Sequence, residues 1–306
     1  MRIHVDRRFI PDRYVEQLKN SFPEVEFLAE ERKTEAEALM VMPSFFKDVS
    51  LDRYPDLVWV QLLSAGYDGV PLEALFRRRI LLTNAKDVYS IQIAEDVFAK
   101  ILSFDRHVMT YYEQMKEGIW ERHEVRCEIH GSTVGLIGAG SIPRAVAKRM
   151  KAFGAHTIGY KRTHADIPYF DRIVTDLSGL DEIYRTSDYL ILAIPLNEKT
   201  RYMVDRSVLQ RMKETALLVN VARGDIIRQD DLIEALDEGR IRGALLDVTS
   251  PEPLPKEHPL WYTDRVLITP HTAAESPYIF KRIYQLVHRN LADYLNGRSL
   301  DSTVSD

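Results

Sequence analysis

Short, mainly apolar runs alternate with amphipathic stretches along the whole chain. Runs of this kind, bounded by turn residues, read as strands buried on both faces. They fall at 39–42, 57–63, 80–83, 134–137, 157–160, 189–194, 216–221, 243–247 and 265–269, with shorter candidates at 2–5 and 27–28. Between them apolar residues recur at three- and four-residue spacing, the helical period. That spacing predicts helices over 11–20, 144–150 and 277–297, and over 230–239, where Asp231 opens the pattern and Gly239 follows its end. The longest such pattern carries Ile93, Ala94, Val97, Phe98, Ile101 and Leu102 and predicts one helix from Ile91 to about Glu117. Strands alternating with helices predict a parallel α/β sheet. The chain shows no internal repeat and no low-complexity tract.

One of these strands leads into a glycine turn. Residues 134–137 run straight into Gly138-Ala139-Gly140, and a helical stretch follows from Arg144. Strand, tight turn and helix form the context in which a glycine motif reads as a dinucleotide site. Gly138 permits the turn, and Gly140 lets backbone approach a pyrophosphate. The helix N-terminus offers N–H groups and a positive dipole end, next to Ser141 and Ile142. The third position of the pattern, usually glycine, is Pro143. Proline is tolerated in a first helical turn because its missing N–H has no partner there.

Bulk properties narrow the class. A length of 306 residues suits about two domains. With 45% hydrophobic and 28% charged residues, the chain is an ordinary globular sequence. A net charge of −5 argues against a nucleic-acid partner. Cys127 is the only cysteine, so neither an intramolecular disulfide nor a cysteine-rich zinc site is available, and no metal is expected. The N-terminus lacks the apolar region of a signal peptide, and no apolar run approaches the ~20 residues of a membrane span. A cytoplasmic protein with no membrane partner is the expectation.

Three ionisable side chains follow the ends of expected strands: Arg223 after 216–221, Glu252 after 243–247 and His271 after 265–269. Ligands of open α/β sheets bind outside the carboxyl ends of the strands. There an arginine can clamp a carboxylate, a histidine can exchange a proton near neutral pH, and a glutamate beside it favours the imidazolium. Taken singly, each has a plain alternative as a surface charge or a structural hydrogen-bonder.

The sequence resembles the D-isomer-specific 2-hydroxyacid dehydrogenase family over nearly its whole length. The resemblance rests on 219–225 (VNVARGD), 244–248 (ALLDV) with 252–255 (EPLP), and 269–273 (TPHTA). Residues 64–68, 83–85, 94–95 and 195–201 agree as well. It implies that Arg223 binds the carboxylate and carbonyl of a 2-oxo acid, that His271 is the proton donor, and that Glu252 holds His271. It further implies that the N–H groups of Ala65 and Gly66 receive the substrate carboxylate. Asp247 would orient the nicotinamide carboxamide, Pro195 and Thr200 would line the cofactor groove, and Val221 and Ala222 belong to the same cofactor contact. Pro143 and Thr249, the latter where the family often carries an aromatic residue, are departures.

The same resemblance implies two Rossmann-like doubly wound domains with a cleft between them. A flavodoxin-like substrate domain would span 1–98 and 276–306, and a dinucleotide-binding domain 99–275. A homodimer formed largely through the nucleotide domain is also implied. Charge bears on the cofactor. The fingerprint expects an acidic residue roughly 20 positions on, for the ribose 2′-hydroxyl. Here Lys161-Arg162-Thr163 follows 157–160 without a carboxylate, which suits a 2′-phosphate, so NADP(H) is expected over NAD(H). The expected reaction is reduction of glyoxylate or hydroxypyruvate. A 3-phosphoglycerate or D-lactate dehydrogenase is the weaker enzymatic alternative, since no C-terminal regulatory domain and no acidic ribose anchor are expected. A nucleotide-sensing, corepressor-like interaction protein is the alternative outside enzymology.

Overall fold

The alternating runs fold into parallel sheets in a computed structural model that describes residues 1–304. The chain divides into two units, one of Met1–Tyr89 with the segment from Ser276 on, the other of Ser90–Glu275.

The first unit holds strands β1 (Arg2–Val5), β2 (Glu26–Phe27), β3 (Ala38–Val41), β4 (Trp59–Leu62) and β5 (Leu81–Thr83). Their order is β2-β1-β3-β4-β5, with every pair parallel. This is the flavodoxin-like order. β3 and β4 are buried at every position, which is why their sequences read as continuous apolar runs rather than alternating ones. Helices Asp12–Ser21 and Ile279–Leu295 cover one face, where Val15 and Leu18 join Ile283, Val287 and Leu291 in one core. Leu39, Val41, Val60 and Leu62 face a separate core with Leu75 from helix Leu72–Arg77. The C-terminal helix is fastened by polar as well as apolar contacts. Asn290 donates to Gln61 Oε1 at 2.7 Å, and Tyr294 stacks on Trp59 with ring centroids 5.0 Å apart.

The second unit holds β6 (Thr133–Ile137), β7 (His156–Tyr160), β8 (Arg172–Val174), β9 (Tyr189–Leu192), β10 (Leu217–Asn220), β11 (Gly243–Leu246) and β12 (Val266–Ile268). They run β12-β11-β10-β9-β6-β7-β8, again parallel throughout. The chain winds outward from β6 in one direction and then, from β9, in the other. That reversal makes a crevice at the carboxyl end of β6, the doubly wound binding position. The expected α/β class with two doubly wound sheets is therefore the fold.

Three features differ from the sequence reading. The expected single helix to Glu117 is two, Ser90–Asp105 and Val108–Glu117, broken where His107 takes a left-handed φ of 53°. The apolar period continues across the break because the second helix is also apolar, although none of its residues is buried. Helix Ser90–Asp105 lies whole in the second unit, which begins at Ser90 rather than near residue 98. Strand β8 carries no sequence signal, being a three-residue edge strand with no fully buried position. Among the described residues no helix is long and apolar enough to cross a membrane.

Candidate active site

The glycine turn after β6 is built as the pyrophosphate geometry requires. Gly138 has φ +111°, and a Cβ there would lie 2.6 Å from the Ala193 carbonyl oxygen. Both the dihedral and the close approach demand glycine. A Cβ placed on Gly140 meets no atom within 4 Å, so the backbone faces open space. Helix Ser141–Ala152 follows, with Pro143 buried beside Val146, Ala147 and Met150. Its first hydrogen bond runs from Arg144 N to Gly140 O at 3.0 Å. Pro143 thus sits just ahead of the first residue whose N–H is needed, and the missing third glycine leaves the helix intact. Gly138 N also donates to Tyr160 O at 3.1 Å, tying the turn to the end of β7. Lys161, Arg162 and Thr163 begin directly there. Among the described residues, neither Lys161 nor Arg162 is in an ion pair.

Further along the carboxyl edge, Thr200 donates its hydroxyl to Pro195 O at 2.8 Å and accepts from Asn197 N, closing the loop after β9. Val221 and Ala222 leave β10 nearly buried. Asn220 shapes the turn that follows: its amide donates to Arg223 O at 2.9 Å and accepts from Ala222 N at 3.0 Å. Arg223 itself is extended, and its guanidinium donates to Ala222 O at 2.6 Å.

The loop after β11 packs against this turn. A Cβ on Gly224 would fall 2.1 Å from the carbonyl carbon and oxygen of Thr249. Only a glycine lets the Arg223 turn meet the loop that carries Glu252. Gln229 locks the same loop, accepting from Ser250 N at 2.8 Å and donating back to Ser250 O. Thr249 N donates to Glu252 Oε1 at 3.1 Å, and the Thr249 hydroxyl donates to Pro251 O at 3.0 Å. With one carboxylate oxygen held, the other, Oε2, lies 2.9 Å from His271 Nδ1. Both side chains are roughly half exposed. We expect Gly224→Ala to displace the Glu252 loop, costing about 1–3 kcal/mol of stability by overpacking. Thermal melts of the variant check the stability, and a turnover assay checks the site.

Asp247, at the end of β11, is 2% exposed and surrounded by donors. Oδ1 accepts from Thr269 Oγ1 at 2.5 Å, Thr272 N at 3.1 Å and Lys100 Nζ at 3.2 Å. Oδ2 accepts from Ala273 N at 3.0 Å. Lys100 is also paired with Asp96, whose carboxyl is pushed up by burial against the opposing pull of Lys100.

The second unit therefore brings Glu252 to His271 and packs the Arg223 turn on the Glu252 loop. Ala65 and Gly66 lie in the first unit, after β4. Ser64 donates to Gly66 O at 2.6 Å and Asn84 to Ala65 O at 2.8 Å. These bonds take up the two carbonyls, and among the described residues the N–H groups of Ala65 and Gly66 have no partner. Asn220, Gln229 and Lys100 carry parts of this geometry that sequence reading did not find. Each is a polar residue inside an otherwise ordinary strand, turn or helix, and only the fold shows what it holds. Among the described residues no cluster of His, Cys, Asp and Glu could hold a metal ion.

Comparison with known proteins places the chain. The family description "D-isomer specific 2-hydroxyacid dehydrogenase, NAD binding domain" matches residues 98–273. A glyoxylate reductase of Pyrococcus furiosus is 34% identical over 309 residues, covering 95% of this chain and 91% of that protein. A D-3-phosphoglycerate dehydrogenase of Methanocaldococcus jannaschii is 35% identical over 247 residues, covering 78% of this chain and 46% of that protein. Among solved structures, a D-isomer specific 2-hydroxyacid dehydrogenase family protein of Aeromonas salmonicida superposes with a TM-score of 0.87 at 30% identity. The match covers 99% of this chain and 98% of that one.

Proposed function

The chain belongs to the D-isomer specific 2-hydroxyacid dehydrogenase family, and from that premise we propose that it reduces a small 2-oxo acid of the glyoxylate or hydroxypyruvate class with NADPH as the preferred cofactor. Use of a nicotinamide dinucleotide and of a 2-oxo or 2-hydroxy acid comes with the family. The observation that carries the catalytic reading is the His271–Glu252 pair at 2.9 Å. Glu252 accepts from Nδ1, which fixes the ring and leaves Nε2 as the proton-bearing atom that faces substrate.

The residues around the glycine turn fit the cofactor. Gly138 makes the turn, Gly140 leaves backbone open, and the helix from Ser141 presents its N-terminus to a pyrophosphate. A reduced nicotinamide held there would supply a hydride for the carbonyl carbon. His271 holds the proton destined for the carbonyl oxygen. Arg223 is the proposed partner of the substrate carboxylate and carbonyl, its turn held by Asn220 and Gly224. The N–H groups of Ala65 and Gly66 are proposed as further carboxylate donors. The proposed preference for NADPH rests on Lys161 and Arg162, which follow the residue that the glycine turn contacts.

The test is a turnover assay with NADPH and NADH against glyoxylate, hydroxypyruvate, phosphohydroxypyruvate and pyruvate. Turnover of the first two fastest supports the reading. A preference for phosphohydroxypyruvate or pyruvate moves the chain to the phosphoglycerate or lactate type, and no turnover with any favours an interaction protein on this fold.

Self-association through the nucleotide unit is also proposed. Helix Val108–Glu117 buries none of its residues, and Tyr112, Met115 and Ile119 are exposed beside Trp120, which is 98% exposed. Contiguous exposed apolar surface of this kind marks an interface, and a second copy of the chain is the proposed occupant. Trp120→Lys is expected to shift a dimer to a monomer in sedimentation equilibrium. A wild-type protein that is monomeric at high micromolar concentration would remove the proposal.

A further inference from the structure

We propose that Lys100 is a positioning residue for proton transfer, acting by holding the buried Asp247 carboxylate around which the His271 loop is wound. The inference rests on the catalytic role given to His271 above. Lys100 is 3% exposed and lies on helix Ser90–Asp105, far in sequence from the site. A buried ammonium is costly unless paired. Its partners are Asp96, four residues earlier on the same helix, and Asp247 at 3.2 Å.

Asp247 has a structural relation to His271 that its neighbours lack. The donors to its carboxylate, Thr269 Oγ1, Thr272 N and Ala273 N, stand on both sides of His271. The main chain closes the arrangement, since His271 N donates to Asp247 O at 2.8 Å. Within this wrap His271 is held at φ +55°, a left-handed conformation that a residue with a side chain adopts only when its surroundings impose it. The wrap needs acceptors. An ionised carboxylate offers about four lone-pair sites, whereas a protonated one turns part of that capacity into a donor. Lys100 supplies a positively charged donor 3.2 Å from Oδ1 in a site with little water. The charged groups facing Asp247 are Lys100 and, through it, Asp96, both from the helix, while the His271 imidazole turns to Glu252. Removing Lys100 takes away the cation that opposes burial at Asp96 and deprives Asp247 Oδ1 of one of its three donors.

The experiment is the pH dependence of kcat for 2-oxo acid reduction in wild type and Lys100→Met, alongside thermal melts over the same pH range. A histidine acid gives wild type a limb that falls as pH rises. Lys100→Met is expected to change the shape of that profile and to lower kcat at least about tenfold, because the carboxylate that anchors the His271 loop loses a charged donor, while affinity for NADPH stays unchanged. The melts give an activity-independent sign through Asp96, whose carboxyl burial pushes up and Lys100 pulls down. A buried carboxyl whose folded pKa lies above its unfolded value stabilises the fold at low pH and loses that stabilisation as pH rises. The melting temperature of Lys100→Met should therefore fall with rising pH relative to wild type. A uniform loss of activity with an unchanged profile and parallel melts would make Lys100 a core residue only and overturn the proposal. Where Lys100→Met does not fold, Lys100→Gln retains a donor to Asp247 without the charge and is expected to show the same change of profile. Failure of both to fold would likewise assign Lys100 to the core. Full wild-type turnover in a His271→Ala variant would defeat the catalytic reading itself, a result distinct from any Lys100 outcome.

Discussion

His271→Ala is expected to reduce turnover by roughly 10²–10⁴-fold, the usual scale for loss of a general acid, while leaving cofactor affinity nearly unchanged. The imidazole touches Glu252 through Nδ1, and it takes no part in the glycine turn. Its loss removes the proposed proton donor without disturbing the dinucleotide segment. The check is steady-state kinetics together with a direct titration of NADPH by fluorescence. Near-normal turnover would sink the assignment, and a collapse of NADPH binding would show that the residue supports the fold. Glu252→Gln should fall between the two proteins, since it keeps a hydrogen bond to the ring and loses the charge that favours the imidazolium.

The second large effect concerns cofactor choice. Wild type is expected to prefer NADPH, and Lys161→Asp with Arg162→Ala is expected to lower kcat/KM for NADPH by about 10–100-fold while changing NADH little. Charge-assisted hydrogen bonds to a phosphate contribute ~1.5–3 kcal/mol each before exposure and salt reduce them. Among the described residues both cations lack an ion-pair partner, so no competing carboxylate takes their charge. Both follow Tyr160, whose carbonyl the Gly138 N–H contacts. The measurement is kcat/KM for both cofactors with glyoxylate, repeated at raised ionic strength, where the preference should shrink. Equal or better use of NADH by wild type would return Lys161 and Arg162 to an ordinary strand end.

These two predictions draw on different levels of information. Lys161, Arg162 and the glycine turn are legible in sequence because each is a local pattern: a strand, a turn with a fixed need for glycine, and the residues just after the next strand. The structure adds that Gly140 faces open space and that Pro143 precedes the first helical hydrogen bond. His271 and Glu252 are 19 residues apart in the chain, and their meeting depends on two loops whose path no local pattern describes. Their places after expected strands marked them as candidates, the family resemblance gave them roles, and the fold supplied the 2.9 Å contact.

The sequence by itself determined the class of fold, the order of its strands along the chain, the position of the glycine turn and the identity of the polar residues after each strand. It could do so because apolar runs, helical spacing and glycine turns report on a residue's immediate neighbours, and parallel α/β units are assembled from such local pieces. Tertiary structure alone decided the break at His107, the short edge strand β8, and the roles of Gly224, Gln229, Asn220 and Lys100. Each depends on what lies across the fold. Gly224 is required by a carbonyl 25 residues later at Thr249, and Lys100 is explained by a carboxylate 147 residues later at Asp247. A buried lysine in a helix looks in sequence like any solvated one, since its burial is a property of the packed chain and not of its neighbours along it.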